Sequence, residues 1–146
     1  MAWQIALGTL LILVSIGIGG TAFWAIETLF ERAEGWGARG RHRLRFIALA
    51  MAAMLVAVAQ MTLAVWIWAL TFLGLGAFEA LEPAVYFALV AFTTLGFGDI
   101  LLPVEWRLLG GFAAANGLLN LGIMTAFLVE ALRGVRNSQR RTREGR

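Results

Sequence analysis

Apolar residues dominate three long stretches of the chain and one short one. Residues 1–30 carry no basic side chain and a single acid, Glu27. Residues 46–73 carry no charge, and their mid-span polar residue is Gln60. Residues 106–132 hold Arg107 near one end and Glu130 near the other. A bilayer-spanning helix takes roughly 20 apolar residues, so each stretch is long enough to cross. The fourth stretch, 83–93, is too short to span. Glu82 and Pro83 open it, an acid and a proline suited to the first turn of a helix. A short apolar helix between two full spans reads as re-entrant, dipping into the membrane and returning. Pro103 marks the turn before the last span.

The polar positions orient this pattern. Arg32, Arg39, Arg41, Arg43 and Arg45 crowd one loop, and Arg133, Arg136, Arg140, Arg141, Arg143 and Arg146 crowd the C-terminal end. Basic residues beside spans favour the cytoplasmic side and touch anionic lipid, which accounts for them better than nucleic acid does. With both clusters inside, the N-terminus lies outside, and so does the re-entrant helix between the second and third spans. The expected setting is a multi-pass protein of the cell (inner) membrane. The first stretch lacks the positive start of a signal peptide and reads as a retained helix. Its Gly8, Ser15, Gly19 and Ala22 either offer a packing face, since small residues let helices approach closely in lipid, or reflect the general tolerance of glycine in membrane helices. Trp36, Trp66 and Trp68 suit the interfaces, and Gln60 suits a bond between helices.

Composition narrows the chemistry. The chain is 60% hydrophobic and 14% charged, with no cysteine, one histidine (His42), and arginine as its sole strong base. No disulfide, thiolate or histidine metal site is expected, and no cofactor. No nucleophile with a neighbouring base suggests an enzyme. Gly35-Trp36-Gly37-Ala38-Arg39-Gly40 fits G-x-G-x-x-G formally, but no strand precedes it. No arginine ladder runs through a span, so a voltage sensor is not expected.

One stretch remains unexplained by packing: Thr93-Thr94-Leu95-Gly96-Phe97-Gly98-Asp99, between the short helix and the last span. Alternating glycines permit backbone conformations closed to other residues, so successive carbonyls can turn to one side. Four such strands around an axis stack rings of oxygen that replace the water of a cation. Thr94-Leu95-Gly96-Phe97-Gly98-Asp99 resembles the potassium-channel selectivity filter, T-V-G-Y-G-D, with Leu95 for valine and Phe97 for tyrosine. Asn116-Gly117, Gly122, Thr125-Ala126 and Leu128 likewise resemble the inner helix of simple bacterial potassium channels.

The resemblance implies an all-α membrane protein with three transmembrane helices, a re-entrant pore helix and a filter loop, assembled as a homotetramer. It divides the chain into an added N-terminal helix (1–30), a basic cytoplasmic loop (31–45), a pore domain (46–134) and a basic tail (135–146), helical or disordered. Within the pore domain it implies an outer helix 46–73, pore helix 83–93, filter 94–99 and inner helix 106–132. Potassium, the cargo, would meet Thr94, Leu95, Gly96 and Phe97, with Leu95 and Phe97 wedged against the pore helix. Thr93, Gly98, Asp99, Tyr86 and Phe87 would set filter geometry and the outer mouth. Tyr86 and Phe87 stand where the family often has a tryptophan pair, leaving Tyr86 to reach Asp99. Val90 stands where some members have an acid.

Leu118, Leu121, Thr125 and Val129 would line the pore, with Val129 as a dewetting gate, and Gly117 and Gly122 would supply hinges. A competing stripe, Asn116, Asn120, Ile123 and Phe127, would line it if the asparagines faced water instead of neighbouring helices. Glu130 draws cations to the inner mouth or pairs with Arg133. The implied function is passive potassium conduction. A weakly selective monovalent cation channel and a non-conducting assembly subunit are the alternatives.

Overall fold

A computed structural model of the chain describes residues 1–34 and 42–144, and the described residues hold only helices, turns and loops. The order is α1 (Ala2–Glu34), α2 (His42–Gly74), α3 (Leu81–Phe92), a single 3-10 turn at Val104–Trp106, and α4 (Arg107–Glu144). Three segments are long and apolar enough to cross a membrane: Ala2–Ala22, Met54–Gly74 and Val104–Ala126. Trp36, Arg39 and Arg41 lie outside the described residues, as do the side chains of Glu130 and Arg133.

The long helices outrun the apolar stretches. α1 ends at Glu34 instead of 30, α2 begins at His42 instead of 46, and α4 continues to Glu144 instead of stopping at 132. Hydropathy marks where lipid ends, whereas a helix ends where its backbone hydrogen bonds do. Past Gly134 the sequence has no glycine or proline until Gly145, and arginine, glutamine and glutamate are good helix formers. α3 begins two residues before Pro83, so Glu82 lies in the first turn and Pro83 just after it. Proline costs nothing there, because the first N–H groups of a helix lack intrahelical acceptors anyway.

α2 packs on α3, α3 on α4, and α1 against both α4 and α2. The core centres on Trp68, Phe72 and Leu109, all fully buried, with Ala64, Ala69, Ala84, Ala88 and Ala113 filling between the helices. Phe72 meets Trp68 at 5.7 Å and Phe87 at 5.4 Å between ring centroids. Trp68 is therefore a core residue and not an interface anchor. Its ring fills the space left by the alanines, and its Nε1 has no partner. Trp66, two residues away, stays exposed.

On α1, Gly8, Ser15 and Gly19 are buried while Gly17 and Gly20 are exposed. A methyl group at Gly8 would lie 2.5 Å from the Phe112 ring, so α1 sits against α4 with glycine-only clearance. In lipid, where helices gain nothing from leaving water, such close packing and interhelical hydrogen bonds hold them together. Gln4 on α1 also donates to the backbone oxygen of Glu105.

Candidate functional site

α3 delivers the chain to the glycine stretch and then grips it. Thr93 N–H donates to Leu89 O at 2.9 Å, Thr94 N–H to Ala91 O at 2.9 Å, and Leu95 N–H to Val90 O at 3.0 Å. Gly96 N–H reaches the same Val90 oxygen at 3.5 Å, and Thr93 Oγ1 donates to Leu89 O at 2.8 Å. The last carbonyls of a helix have no partner within it. Here the following residues supply one, so the start of 93–99 is fastened to the helix end.

Beyond Thr94 the backbone leaves the helix and joins no sheet, running as a single unpaired strand. φ is +59° at Thr94, +56° at Gly96 and +77° at Gly98, while Leu95 and Phe97 between them are not positive. Alternating the sign of φ flips successive peptide planes, which lets neighbouring carbonyls share one side of the strand. Glycine takes positive φ without a Cβ clash, and threonine takes it only under constraint. At Thr94 that constraint is its N–H bond to Ala91 O.

Past the strand, Tyr86 Oη donates to Asp99 Oδ2 at 2.5 Å, tying the outer end of the loop to α3. This hydroxyl holds the Asp99 carboxyl below its ordinary 3.8, helped by the N–H groups of Asp99 and Ile100 and opposed by burial. A lowered carboxyl pKa means a contribution present above the ordinary value and lost as pH falls through the lowered one. Tyr86→Phe is expected to move that loss to higher pH. A carbon-13 titration of the Asp99 carboxyl checks it, and an unchanged midpoint would show the bond to be unimportant.

Phe87 makes no ring pair with Phe97. Its ring packs on Phe72 and, at 5.5 Å, on Phe78, toward α2. Leu95 and Phe97 are 57% and 65% exposed, so within one protomer they stand free and do not wedge against α3.

The two stripes of α4 differ at the positions described, Ile123 being half-buried and the side chain of Phe127 outside the described residues. Leu118, Leu121, Thr125 and Val129 are exposed, with Leu121 at 67%. Asn116 and Asn120 are buried: Asn120 bonds Ser15 on α1, Gln60 on α2 and Asn116 within α4, while Asn116 Nδ2 has no partner. The two glycines also differ. A Cβ at Gly117 would lie 1.6 Å from the Phe92 backbone oxygen, whereas one at Gly122 would meet nothing. Gly117 is thus the seat on which the end of α3 rests. Its sequence context offered a hinge and gave no sign of this contact.

Among the described residues no cluster of histidine or acid side chains could hold a metal ion. The family model described as Ion channel matches residues 60–134, from mid-α2 through α3, the glycine strand and most of α4. No curated protein and no solved structure matches the chain.

Proposed function

Because the chain belongs to the ion-channel family, through a domain of the two-span potassium-channel type in a multi-pass membrane protein, we propose that four copies enclose a pore conducting potassium passively. The carrying observation is the alternation of φ sign at Thr94, Gly96 and Gly98 in a strand held at both ends by α3. One chain supplies one such strand, and a ring of oxygens able to replace a hydration shell takes four. The carbonyls of Thr94, Leu95, Gly96 and Phe97, with the Thr94 hydroxyl, coordinate the dehydrated ion. Asp99, charged at neutral pH, draws cations to the outer mouth.

The exposed side chains of Leu95, Phe97, Leu118 and Leu121 support this assembly, because neighbouring copies and a pore would cover them. Burial of both asparagines supports the stripe Leu118, Leu121, Thr125 and Val129 as the pore wall, with Val129 as its narrowest apolar ring. The arginine clusters face the cytoplasm and the N-terminus faces outward.

A second reading, a weakly selective monovalent cation channel, is favoured by one observation. The only side-chain bond from the α3 helix to the described strand beyond Thr94 is Tyr86 to Asp99, and Phe97 has no hydroxyl. A strand braced so lightly is easier to widen. Purified protein in planar bilayers separates the readings. Reversal at the potassium equilibrium potential in mixed potassium and sodium is expected, with a particle mass of four protomers. Reversal near zero favours the second reading, and persistent silence defeats both.

A further inference from the structure

Ser15 on α1, Gln60 on α2, and Asn116 and Asn120 on α4 form one buried polar knot. Asn120 Nδ2 lies 3.1 Å from Ser15 Oγ, 2.9 Å from Asn116 O and 2.7 Å from Asn116 Oδ1. Gln60 Nε2 donates to Asn120 Oδ1 at 2.9 Å. Ser15 is 1% exposed, Asn116 0%, Asn120 5% and Gln60 6%. Gly19, one turn from Ser15, is where α1 makes room for Gln60, since a Cβ there would lie 2.1 Å from Gln60 Nε2. The residue after Asn116 is Gly117, the seat of Phe92 O, and Phe92 is the last residue of α3 before the glycine strand.

The chemistry makes this knot directional. In lipid no water takes over a broken hydrogen bond, so parting these helices strands polar groups or drags a partner along. Among the described residues Asn120 is the only side chain bonded to both α1 and α2, and it lies one turn beyond Asn116 on α4. α4 cannot turn or bend between 116 and 120 without stretching its bonds to Ser15 and Gln60. A contiguous path of contacts therefore runs from α1 through Asn120 and Gly117 to the end of α3.

We propose that α1 is a built-in regulator of the pore, and that Ser15, Gln60 and Asn120 are positioning residues that latch α4 in one of its two gating states. This rests on the channel reading above. Breaking the latch favours the other state, whichever bond is removed. Ser15→Ala, Gln60→Leu and Asn120→Leu are therefore expected to shift open probability in the same direction. Interhelical hydrogen bonds in membranes of about 0.6 kcal/mol imply a shift of about 2.7-fold per protomer, and about fiftyfold where four protomers switch together.

Single-channel recording of the full-length protein in bilayers tests this. Unitary conductance, reversal potential and particle mass should stay as in the unmodified protein, since a merely structural role would move mass and not gating. Ser15→Ala, which removes one oxygen, serves where a larger change prevents folding. The double variant Ser15→Ala/Asn120→Leu should shift no further than the larger single one. Unaltered open probability, shifts of opposite direction, or additive shifts overturn the latch while leaving the channel reading intact. A chain that never conducts overturns both.

Discussion

Gly117→Ala is expected to be the most damaging glycine-to-alanine change among the described glycines with a tight Cβ contact. Its Cβ would lie 1.6 Å from the Phe92 carbonyl oxygen and 2.6 Å from the Phe92 carbonyl carbon. Those atoms are backbone, so no rotamer change relieves the clash, and either α3 or α4 must move. Overpacking in cores costs roughly 1–3 kcal/mol where side chains can adjust, and more where they cannot. A cost of about 3 kcal/mol per protomer or more follows, equivalent to a melting midpoint lower by on the order of 10 °C. Because Phe92 leads directly into Thr93 and Thr94, the displacement reaches the strand as well. Gly122→Ala is the control: nothing lies within 4 Å of its Cβ, and a helical alanine replaces glycine favourably. Thermal unfolding of both variants in detergent measures the contrast. Equal midpoints would show that the close approach of α3 to α4 does not exist.

Gly117 also shows where reading a sequence stops. A glycine in an apolar helix signals flexibility or close approach, and only the position of its neighbour decides between them. The spans were legible because lipid imposes a length and a composition on the chain, and the re-entrant helix was legible because it is too short to cross. The glycine strand was legible because Gly96 and Gly98 alternate with bulkier residues and glycine takes positive φ without a clash, whereas the positive φ of Thr94 was not. The helix ends were not, since α4 keeps its hydrogen bonds past residue 132 among arginines that hydropathy treats as the end of a span.

Side chains with two solutions were the other blind spot. Trp68 carries both an apolar ring and a polar N–H, so it suits an interface or a core equally well. The aromatic cluster of Phe72, Phe78 and Phe87 joins α2, the connector after it and α3, and no apolar periodicity within one helix points to it. Asn116 and Asn120 posed the same ambiguity between water and a helix partner. Of the two interhelical partners of Asn120, Gln60 was open to such a bond in the sequence, whereas Ser15 lies 105 positions away, on a helix that no motif of the pore domain includes.

Gly96→Ala is expected to abolish selective conduction through a different cost. An alanine there meets no neighbouring atom in the protomer, so the penalty is conformational and not steric packing. A non-glycine residue held at φ near +56° costs about 1 kcal/mol or more. Thr94 bears such a cost already, but its N–H bond to Ala91 O is 2.9 Å, whereas the Gly96 N–H reaches Val90 O only at 3.5 Å. Position 96 has less to hold it in place once glycine is gone. In the fourfold ring proposed above the cost would be incurred four times, about 4 kcal/mol in all, which would depopulate the proposed conducting conformation roughly a thousandfold. Gly17→Ala, on an exposed face of α1 with nothing near its Cβ, is expected to leave conduction as it was. Currents from the two variants in equal potassium and sodium measure the difference. Unaltered selectivity in Gly96→Ala would mean that positive φ at this residue is not what aligns the carbonyls, and the ion would have to be coordinated by something other than this strand.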